Sequence, residues 1–134
     1  PFTINGIVIH GQERGRKLGF PTANIALREE FEHLPNGVYA VTVLYQKDLY
    51  RAVANIGNNP TFGVCNRRLE VHIMDFSGDL YGKEIMISFY KKIRNEERFS
   101  SADELIQQIA ADKNAAVDAL EETFHLQENI SMVI

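Results

Sequence analysis

Short strand-like segments follow one another along the first 99 residues, and this pattern constrains the fold more than any other feature of the sequence. The clearest segment is Gly37–Tyr45, which is rich in β-branched and aromatic residues. A turn at residues 46–48 leads into a second segment at 49–55, so the two predict a β-hairpin. Segments of the same character lie at residues 4–10, 68–76 and 84–93.

Glycine and polar residues join the segments at 68–76 and 84–93, and this connection predicts a second hairpin. No helical pattern separates the strands, so we expect them to be mostly antiparallel. A sheet of five or six strands often closes into a barrel, because closure removes its unpaired edges. The sequence therefore predicts a mainly β protein built on a small β-barrel.

After Phe99 the apolar residues recur at spacings of three and four, which is the period of an amphipathic helix. These residues are Leu105, Ile106, Ile109, Val117, Leu120 and Phe124. Ser101 and Glu104 have the spacing of a capping box, so we expect the helix to begin there, and Asp112 is a candidate cap for a second segment. The pattern is compatible with one bent helix or two. We interpret the apolar stripe as a helix docked on the barrel rather than as a partner surface.

The length of 134 residues fits one domain, with the barrel at about 1–99 and the helical region at about 100–126. A net charge of −4 argues against general affinity for nucleic acid, which needs a basic footprint. The sequence has no apolar run long enough to cross a bilayer, so we expect no membrane partner. Cys65 is the only cysteine and cannot form an internal disulfide, which favours a cytoplasmic location.

Residues 11–19 form a glycine-spaced basic loop. Such spacing lets the backbone approach a ligand closely, and nearby cations add positive charge. The residues concerned are Gly11, Gly15, Gly19, Arg14, Arg16 and Lys17. The loop suits phosphate, but it lacks the Gly-Lys-Ser/Thr ending of the usual nucleotide loop. Taken alone, the loop is equally compatible with a glycine-rich hairpin that carries solvated charges.

Directly after this loop, Thr22 and Asn24 share one face of an extended segment, while Ala23 points to the other. A threonine hydroxyl and an asparagine carbonyl are neutral oxygen ligands that suit Mg²⁺, provided that nucleotide phosphates supply the anionic ligands. Pro21 stiffens the entry into the segment because its φ is fixed. Without the neighbouring loop, a Thr-x-Asn pair that caps a turn would be the preferred interpretation.

Alternation along the segment at 68–76 places Glu70 and His72 on the face opposite to Leu69 and Val71. Apolar surroundings would raise the pKa of a carboxyl there toward the range of a general base. An exposed glutamate on a half-solvated strand is the commoner case, and the strand taken alone favours it. Glu70 is the carboxylate of interest in this segment, but the strand alone assigns it no catalytic role.

The stretch from residue 6 to residue 24 resembles the signature of riboflavin kinases, including the kinase module of bacterial bifunctional FAD synthetases. Its matching residues are Gly6, Val8, Gly11, Gly15-Arg16 and Leu18-Gly19-Phe20-Pro21-Thr22-Ala23-Asn24. Further matches follow in family order: Gly37-Val38-Tyr39, Ala54-Asn55-Ile56-Gly57, Asn59-Pro60-Thr61-Phe62, Glu70-x-His72, Asp75-Phe76, Tyr81-Gly82, Ile93-Arg94-x-Glu96 and Phe99. The resemblance therefore extends over nearly the whole chain.

The resemblance implies a closed six-stranded antiparallel Greek-key barrel with a C-terminal helix. It also implies transfer of the γ-phosphoryl group of ATP to the ribityl 5′-hydroxyl of riboflavin, giving FMN and ADP. Glu70 matches the family's catalytic base, Arg94 matches a position near the flavin, and Thr22 and Asn24 match its Mg²⁺-nucleotide residues. The expected ATP- and phosphate-binding residues are Gly11, Gly15, Arg16, Lys17, Gly19, Thr22 and Asn24.

Bifunctional members of the family carry an N-terminal FMN adenylyltransferase domain with a His-x-x-His type motif, which this sequence lacks. The chain by itself is therefore expected to stop at FMN. Its start at Pro1 suggests either a C-terminal module excised from such a longer protein or missing N-terminal residues. The alternative function is a non-catalytic flavin- or nucleotide-binding regulatory module, which the presence of Thr22, Asn24 and Glu70 together disfavours.

Overall fold

The computed structural model describes residues 2–9, 22–27, 34–58 and 67–133, with side chains through residue 125. Within these ranges the chain forms six strands and one helix. The elements are β1 (Phe2–Ile7), β2 (Ala23–Ala26), β3 (Gly37–Tyr45), β4 (Asp48–Asn58), β5 (Arg67–Ile73), β6 (Glu84–Arg94) and α1 (Ala102–Val133). The helix follows the strands, as the sequence predicts.

The six strands form one sheet in the order β1-β6-β3-β4-β5-β2, and each neighbouring pair is antiparallel. Three consecutive strands, β3, β4 and β5, are neighbours in this sheet, and β6 returns to lie beside β3. This is the Greek-key arrangement. The predicted fold class, a mainly β, six-stranded antiparallel Greek-key barrel with a C-terminal helix, is confirmed, but the described strands form a curled half-barrel rather than the closed barrel that the resemblance implies.

The edge strands β1 and β2 meet because the sheet curls into a half-barrel. The backbone N–H of Ile9 donates a 2.8 Å hydrogen bond to the carbonyl oxygen of Asn24 and forms an isolated antiparallel bridge. A Cβ atom at Gly6 in β1 would lie 2.7 Å from Cγ2 of Ile25 in β2. Only glycine allows this close approach without a shift of its neighbour. The two edges therefore touch through packing and one bridge rather than through a continuous ladder.

The main core fills the inside of the curled sheet. Its largest side chains come from β4, β5 and β6: Ile56, Leu69, Ile85 and Ile87. A second buried cluster joins α1 to the outer face of the sheet, and its members are Ala40, Met74, Ala116, Ala119 and Leu120. The apolar stripe of the helix thus packs on the sheet, as we predicted. This leaves the rest of the outer face available for a ligand site.

The predicted hairpin between β5 and β6 is wrong. β5 pairs with β4 and β2, whereas β6 pairs with β3 and β1. The chain between them runs across the end of the barrel, where the N–H of Met74 bonds to the carbonyl of Arg51 and the N–H of Gly82 to the carbonyl of Val8, both at 2.9 Å. These bonds bring the chain next to β1, so β6 pairs with β1 on one edge and with β3 on the other. A long crossover therefore replaces the tight turn.

Helix α1 begins at the predicted capping box. The backbone N–H of Glu104 donates a 3.2 Å hydrogen bond to Oγ of Ser101, while the Glu104 carboxylate accepts hydrogen bonds from Ser100. The prediction that Asp112 caps a second segment is wrong, because one helix continues to Val133, beyond the expected end near residue 126. Asp112 lies inside the helix and is 5% exposed. The described part of the chain contains no helix that is both long and apolar enough to cross a membrane.

Candidate active site

A transverse row of side chains crosses five strands on the outer face of the sheet. Glu70 of β5 lies opposite Asn24 of β2 on one side and opposite Asn55 of β4 on the other. Asn55 lies opposite Val38 of β3, and Val38 lies opposite Arg94 of β6. Directly opposed residues share a face, with Cβ atoms about 4.5–5.5 Å apart. The row therefore brings the predicted base and the predicted flavin-side arginine to the same surface.

Glu70 lies on the outer face of β5, because the alternate residues Leu69 and Val71 are in the core. Its carboxylate forms an ion pair with Arg68, two residues along the same face, and its side chain is 27% exposed. The surroundings of Glu70 are polar, since it pairs with Arg68 and lies opposite Asn24. This polar, half-exposed setting is the one that the strand taken alone favours. The ion pair orients a carboxylate that remains accessible from solvent.

Thr22 and Asn24 lie on the outer face together with Glu70, because Ala23 between them is in the core. Asn24 is only 4% exposed, and its Oδ1 has no hydrogen-bond partner among the described residues. A buried amide oxygen without a hydrogen-bond partner is uncommon, and a bound hydrogen-bond donor or cation would supply the partner that it lacks. The structure thus brings the predicted base and the two predicted Mg²⁺-nucleotide residues together.

The predicted phosphate loop lies outside the described residues. This applies to Gly11, Gly15, Arg16, Lys17 and Gly19. Thr22, the first described residue after the loop, lines the same cleft as Glu70. The assignment of the loop to the phosphates of ATP stays a prediction.

Arg94, at the end of β6, is tied to helix α1. Its Nε donates to Oδ1 of Asp112 and its Nη2 to Oδ2, both at 2.8 Å, and its Nη1 donates to the carbonyl oxygen of Asn95 at 2.9 Å. The hydrogen bonds to Asp112 are the main cause that raises the pKa of Arg94, so the guanidinium stays charged. It lies 5.8 Å from the centre of the Phe99 ring, within cation–π distance. Gln108 also donates to Asp112, at 2.9 Å.

Asp112 is a residue whose role the sequence prediction missed. It lies three residues after Ile109 and four before Ala116, on the helix face that packs against the sheet. A carboxylate on such a face must be paired, because burial of an unpaired charge is expensive. This signal could have predicted a basic partner for Asp112. It could not have identified Arg94, which is on another element.

Glu96 is a second carboxylate of the site. Its carboxylate lies so close to Gly57 in β4 that a Cβ atom there would overlap with it. Loss of solvent around the carboxyl raises the pKa of Glu96, and the negative charge of Glu70 raises it further, while Arg94 and Arg67 act in the opposite direction. Both carboxylates line the same cleft. Glu96 matches a family position in the sequence, but the sequence alone predicts no role for it.

These side chains line a cleft of about 890 Å³ between the outer face of the sheet and the start of α1. The side toward β3, β6 and α1 carries an apolar patch beside the charged side chains of Arg94, Glu96 and Asp112. The apolar patch consists of Val38, Phe99, Leu105 and Ile109. The side toward β2 and β5 is polar, with Thr22, Arg68, Glu70 and His72. The cleft can therefore hold a ligand that has a flat apolar part and a polar part.

A family model described as Flavokinase: Riboflavin kinase matches residues 1–120 of the chain. The chain belongs to the riboflavin kinase family. The family predicted from the sequence is therefore confirmed. The matched range contains the whole sheet and the part of α1 that carries Asp112, so all the candidate site residues discussed above lie within it.

Known proteins of similar sequence and structure agree with this family. A bifunctional riboflavin kinase/FMN adenylyltransferase from Escherichia coli is 52% identical over 118 residues, which are 87% of this chain and 37% of that protein. The chain thus spans little more than a third of the length of this relative. The crystal structure of riboflavin kinase from Trypanosoma brucei matches with a TM-score of 0.68 and 26% identity, over 89% of this chain and 79% of that chain.

A crystal structure described as a macrolide-efflux protein from Streptococcus pneumoniae also matches. The TM-score is 0.73 and the sequence identity is 39%, over 87% of this chain and 38% of that chain. The match concerns a minor part of that protein. It shows that the same fold occurs there as a module of a longer chain.

Proposed function

We propose that the chain transfers the γ-phosphoryl group of ATP to the 5′-hydroxyl of riboflavin, giving FMN and ADP. The observation that carries this proposal is the direct opposition of Glu70 and Asn24 in adjacent strands. The predicted base therefore lies beside a predicted Mg²⁺-nucleotide residue, in a cleft that also contains the apolar patch of Val38, Phe99, Leu105 and Ile109. Membership of the riboflavin kinase family supports the same reaction.

Glu70 is proposed to accept the proton of the riboflavin 5′-hydroxyl. The hydroxyl oxygen forms a bond to the γ-phosphorus, and the bond from that phosphorus to the bridging oxygen breaks, so ADP leaves. Arg68 holds the Glu70 carboxylate through the ion pair and thereby orients it toward the substrate. Phosphoryl transfer depends mainly on positioning and charge neutralisation, so orientation of the hydroxyl is a large part of this role.

Thr22 and Asn24 are proposed to bind Mg²⁺ together with the phosphates of ATP. The unpaired, buried Oδ1 of Asn24 fits this role, because Mg²⁺ prefers oxygen ligands. Both side chains are neutral, so the phosphates would supply the anionic ligands. When bound there, Mg²⁺ would neutralise charge on the transferred group. The basic loop, with Gly11, Gly15, Arg16, Lys17 and Gly19, is proposed to contact the same phosphates.

Arg94 and Phe99 are proposed to border the flavin ring. Each Nη nitrogen of Arg94 carries one N–H beyond those donated to Asp112 and Asn95, and these can donate to a ring carbonyl. Phe99, Leu105 and the guanidinium plane offer flat or apolar surface to an isoalloxazine. The ring would then lie toward β6 and α1, and the ribityl chain would extend toward Glu70.

We further propose that the whole protein carries an FMN adenylyltransferase domain and works in the cytoplasm, where ATP is available. The relative from Escherichia coli is named as such a bifunctional protein, and this chain covers 37% of it. The kinase module alone would convert riboflavin to FMN and no further.

Incubation of the chain with riboflavin and Mg-ATP, followed by chromatography, tests the proposed reaction. Formation of FMN that depends on both ATP and a divalent metal would support it. Binding of riboflavin without FMN formation, under several divalent metals, would contradict it and favour the non-catalytic flavin-binding module. A Glu70→Ala variant serves as the matched inactive control.

A further inference from the structure

Asn55 lies beside Glu70 and has no part in the reaction as described so far. It is on β4, directly opposite Glu70, and lines the cleft. Its Oδ1 is buried and accepts no hydrogen bond within the described residues. A buried acceptor costs free energy when it is unpaired, so a ligand that donates a hydrogen bond there would gain affinity.

Glu96 provides further acceptors close to Asn55. Gly57 is two residues after Asn55 in β4, so it lies on the same face, about 7 Å further along the strand. The Glu96 carboxylate rests against Gly57, where the absence of a side chain makes room for it. Glu70, Asn55 and Glu96 thus form an acceptor row, with Glu70 across the sheet from Asn55 and Glu96 further along β4.

The chemistry of the acceptor row limits what can bind to it. Carboxylates and amide oxygens accept hydrogen bonds, so the matching ligand group is a donor. A phosphate carries acceptor oxygens and negative charge, so Asn55 Oδ1 and the Glu96 carboxylate offer it no hydrogen-bond donor. A chain of neighbouring hydroxyl groups carries one donor on each carbon and no charge. Asn55 and Glu70 also lie between the apolar patch of the cleft and the proposed phosphate side, where such a chain would connect the two ends of an amphipathic substrate.

We propose that Asn55 and Glu96, together with Glu70, bind the hydroxyl groups of the ribityl chain and so select flavins that carry a polyol. This inference rests on the proposed riboflavin kinase function and adds two residues to it. Asn55 binds the chain from the sheet, and Glu96 binds it from the segment between β6 and α1. Both contacts position the 5′-hydroxyl at Glu70.

Flavin binding in the absence of ATP tests the proposal. The probes are riboflavin and lumiflavin, which has the same ring but a methyl group in place of the ribityl chain, and the readout is quenching of flavin fluorescence. Asn55→Leu and Glu96→Leu each remove acceptors. We expect the riboflavin Kd to rise about threefold to tenfold in each variant, as for the loss of one or two hydrogen bonds. The lumiflavin Kd should change less than twofold.

Matched controls separate hydrogen bonding from folding and from general effects. Asn5→Leu adds the same apolar group to an exposed position of β1, and Glu122→Leu removes a carboxylate from an exposed position of α1. Neither should change the preference for riboflavin over lumiflavin. Glu96→Gln retains one acceptor oxygen and should restore part of the affinity lost in Glu96→Leu. The Glu96 variants change an exposed position, so they remain informative if Asn55→Leu fails to fold.

Three results would overturn the proposal. Equal weakening of riboflavin and lumiflavin would mean that the residues only shape the cleft. An unchanged riboflavin Kd in both variants would mean that the row does not contact the ribityl chain. If the wild-type chain forms FMN while either result holds, only this inference fails. If the wild-type chain binds neither flavin and also forms no FMN from riboflavin and Mg-ATP, the proposed kinase function fails with it.

Discussion

Arg94 at the end of β6 and Asp112 in the first half of α1 join the two elements through two hydrogen bonds of 2.8 Å. The Asp112 side chain is 6% exposed and that of Arg94 is 19% exposed, so the pair is largely shielded from water. Residues 95–101 between these elements carry Glu96 and Phe99, which line the cleft. The pair therefore holds one wall of the proposed flavin site in place.

Asp112→Asn should destabilise the protein. The substitution keeps the size of the side chain but removes the charge that balances Arg94, so a shielded guanidinium loses its partner. We expect a loss of about 1–3 kcal/mol in the free energy of unfolding, measured by chemical denaturation. Asp118→Asn changes an exposed carboxylate on the same helix and should stay within about 0.5 kcal/mol of wild type. Equal stability of the two variants would contradict the role of the pair.

The stability contribution of Glu96 should depend on pH in a defined direction. Its pKa is raised in the folded protein above the usual value of 4.5, so the folded state holds the proton more tightly than the unfolded state. This contribution is fully present below pH 4.5 and is lost as the pH rises through the folded pKa. Glu96→Gln removes the charge, so it should melt at a higher temperature than wild type at neutral pH.

The difference in melting temperature between Glu96→Gln and wild type should shrink as the pH falls through the raised pKa of folded Glu96, and it should be smallest below pH 4.5. Glu122→Gln, which changes an exposed residue of α1, should show no such trend. A difference in melting temperature that is constant from neutral to acidic pH would argue against a raised pKa of Glu96. Because Glu96 is also proposed to bind the ribityl chain, the gain in stability should accompany weaker riboflavin binding.

Glu70→Gln should lower the turnover of riboflavin by a factor of about 10² to 10⁴, because the amide cannot accept the proton. Riboflavin binding should largely survive, since the amide oxygen still accepts a hydrogen bond. FMN formation and fluorescence quenching measure the two effects separately. Glu84→Gln, at an exposed position of β6, is the control and should turn over like wild type. Glu70→Ala with near wild-type turnover would exclude both a proton-accepting and an orienting role.

Asn24→Ala should separate stability from nucleotide binding. The Oδ1 of Asn24 has no partner among the described residues, so its removal breaks no hydrogen bond at that atom. We expect the melting temperature of the free protein to change little. Mg-ATP should raise the melting temperature of wild type through preferential binding to the folded state, but should raise that of the variant much less. An equal increase in both would contradict the assignment of Asn24 to the Mg²⁺-nucleotide site.

Gly57→Ala should displace Glu96 without disturbing the sheet. The added Cβ would overlap with the Glu96 carboxylate, which is the mobile end of a side chain and can move away. We expect weaker riboflavin binding, unchanged lumiflavin binding and a nearly unchanged melting temperature. In a Glu96→Leu background, Gly57→Ala should have a much smaller effect on riboflavin binding, because coupled residues are not additive. If the two substitutions weaken riboflavin binding additively, displacement of Glu96 is not the cause of the Gly57→Ala effect.

Several features of this protein could be predicted from the sequence because they depend on nearby residues. The bounds of β3, Gly37–Tyr45, follow from its β-branched and aromatic composition, and the start of α1 follows from the Ser101–Glu104 spacing. The outward faces of Glu70, Thr22 and Asn24 follow from the alternation of an extended backbone. The order of the motif residues predicted the riboflavin kinase family, which the family model confirms.

Only the tertiary structure decided which distant segments meet. The turn-like residues after β5 favoured a hairpin with β6. In the structure β6 pairs with β1 and β3 instead, so a crossover connects β5 to β6. The spacing of Asp112 was compatible with a cap, and only the packing of α1 on the sheet placed it against Arg94. Glu96 follows β6 along the chain but lies against Gly57 of β4, and no local pattern in the sequence indicates this contact. The sequence by itself determined which faces the side chains occupy, since that depends on local backbone geometry, whereas their partners depend on long-range packing.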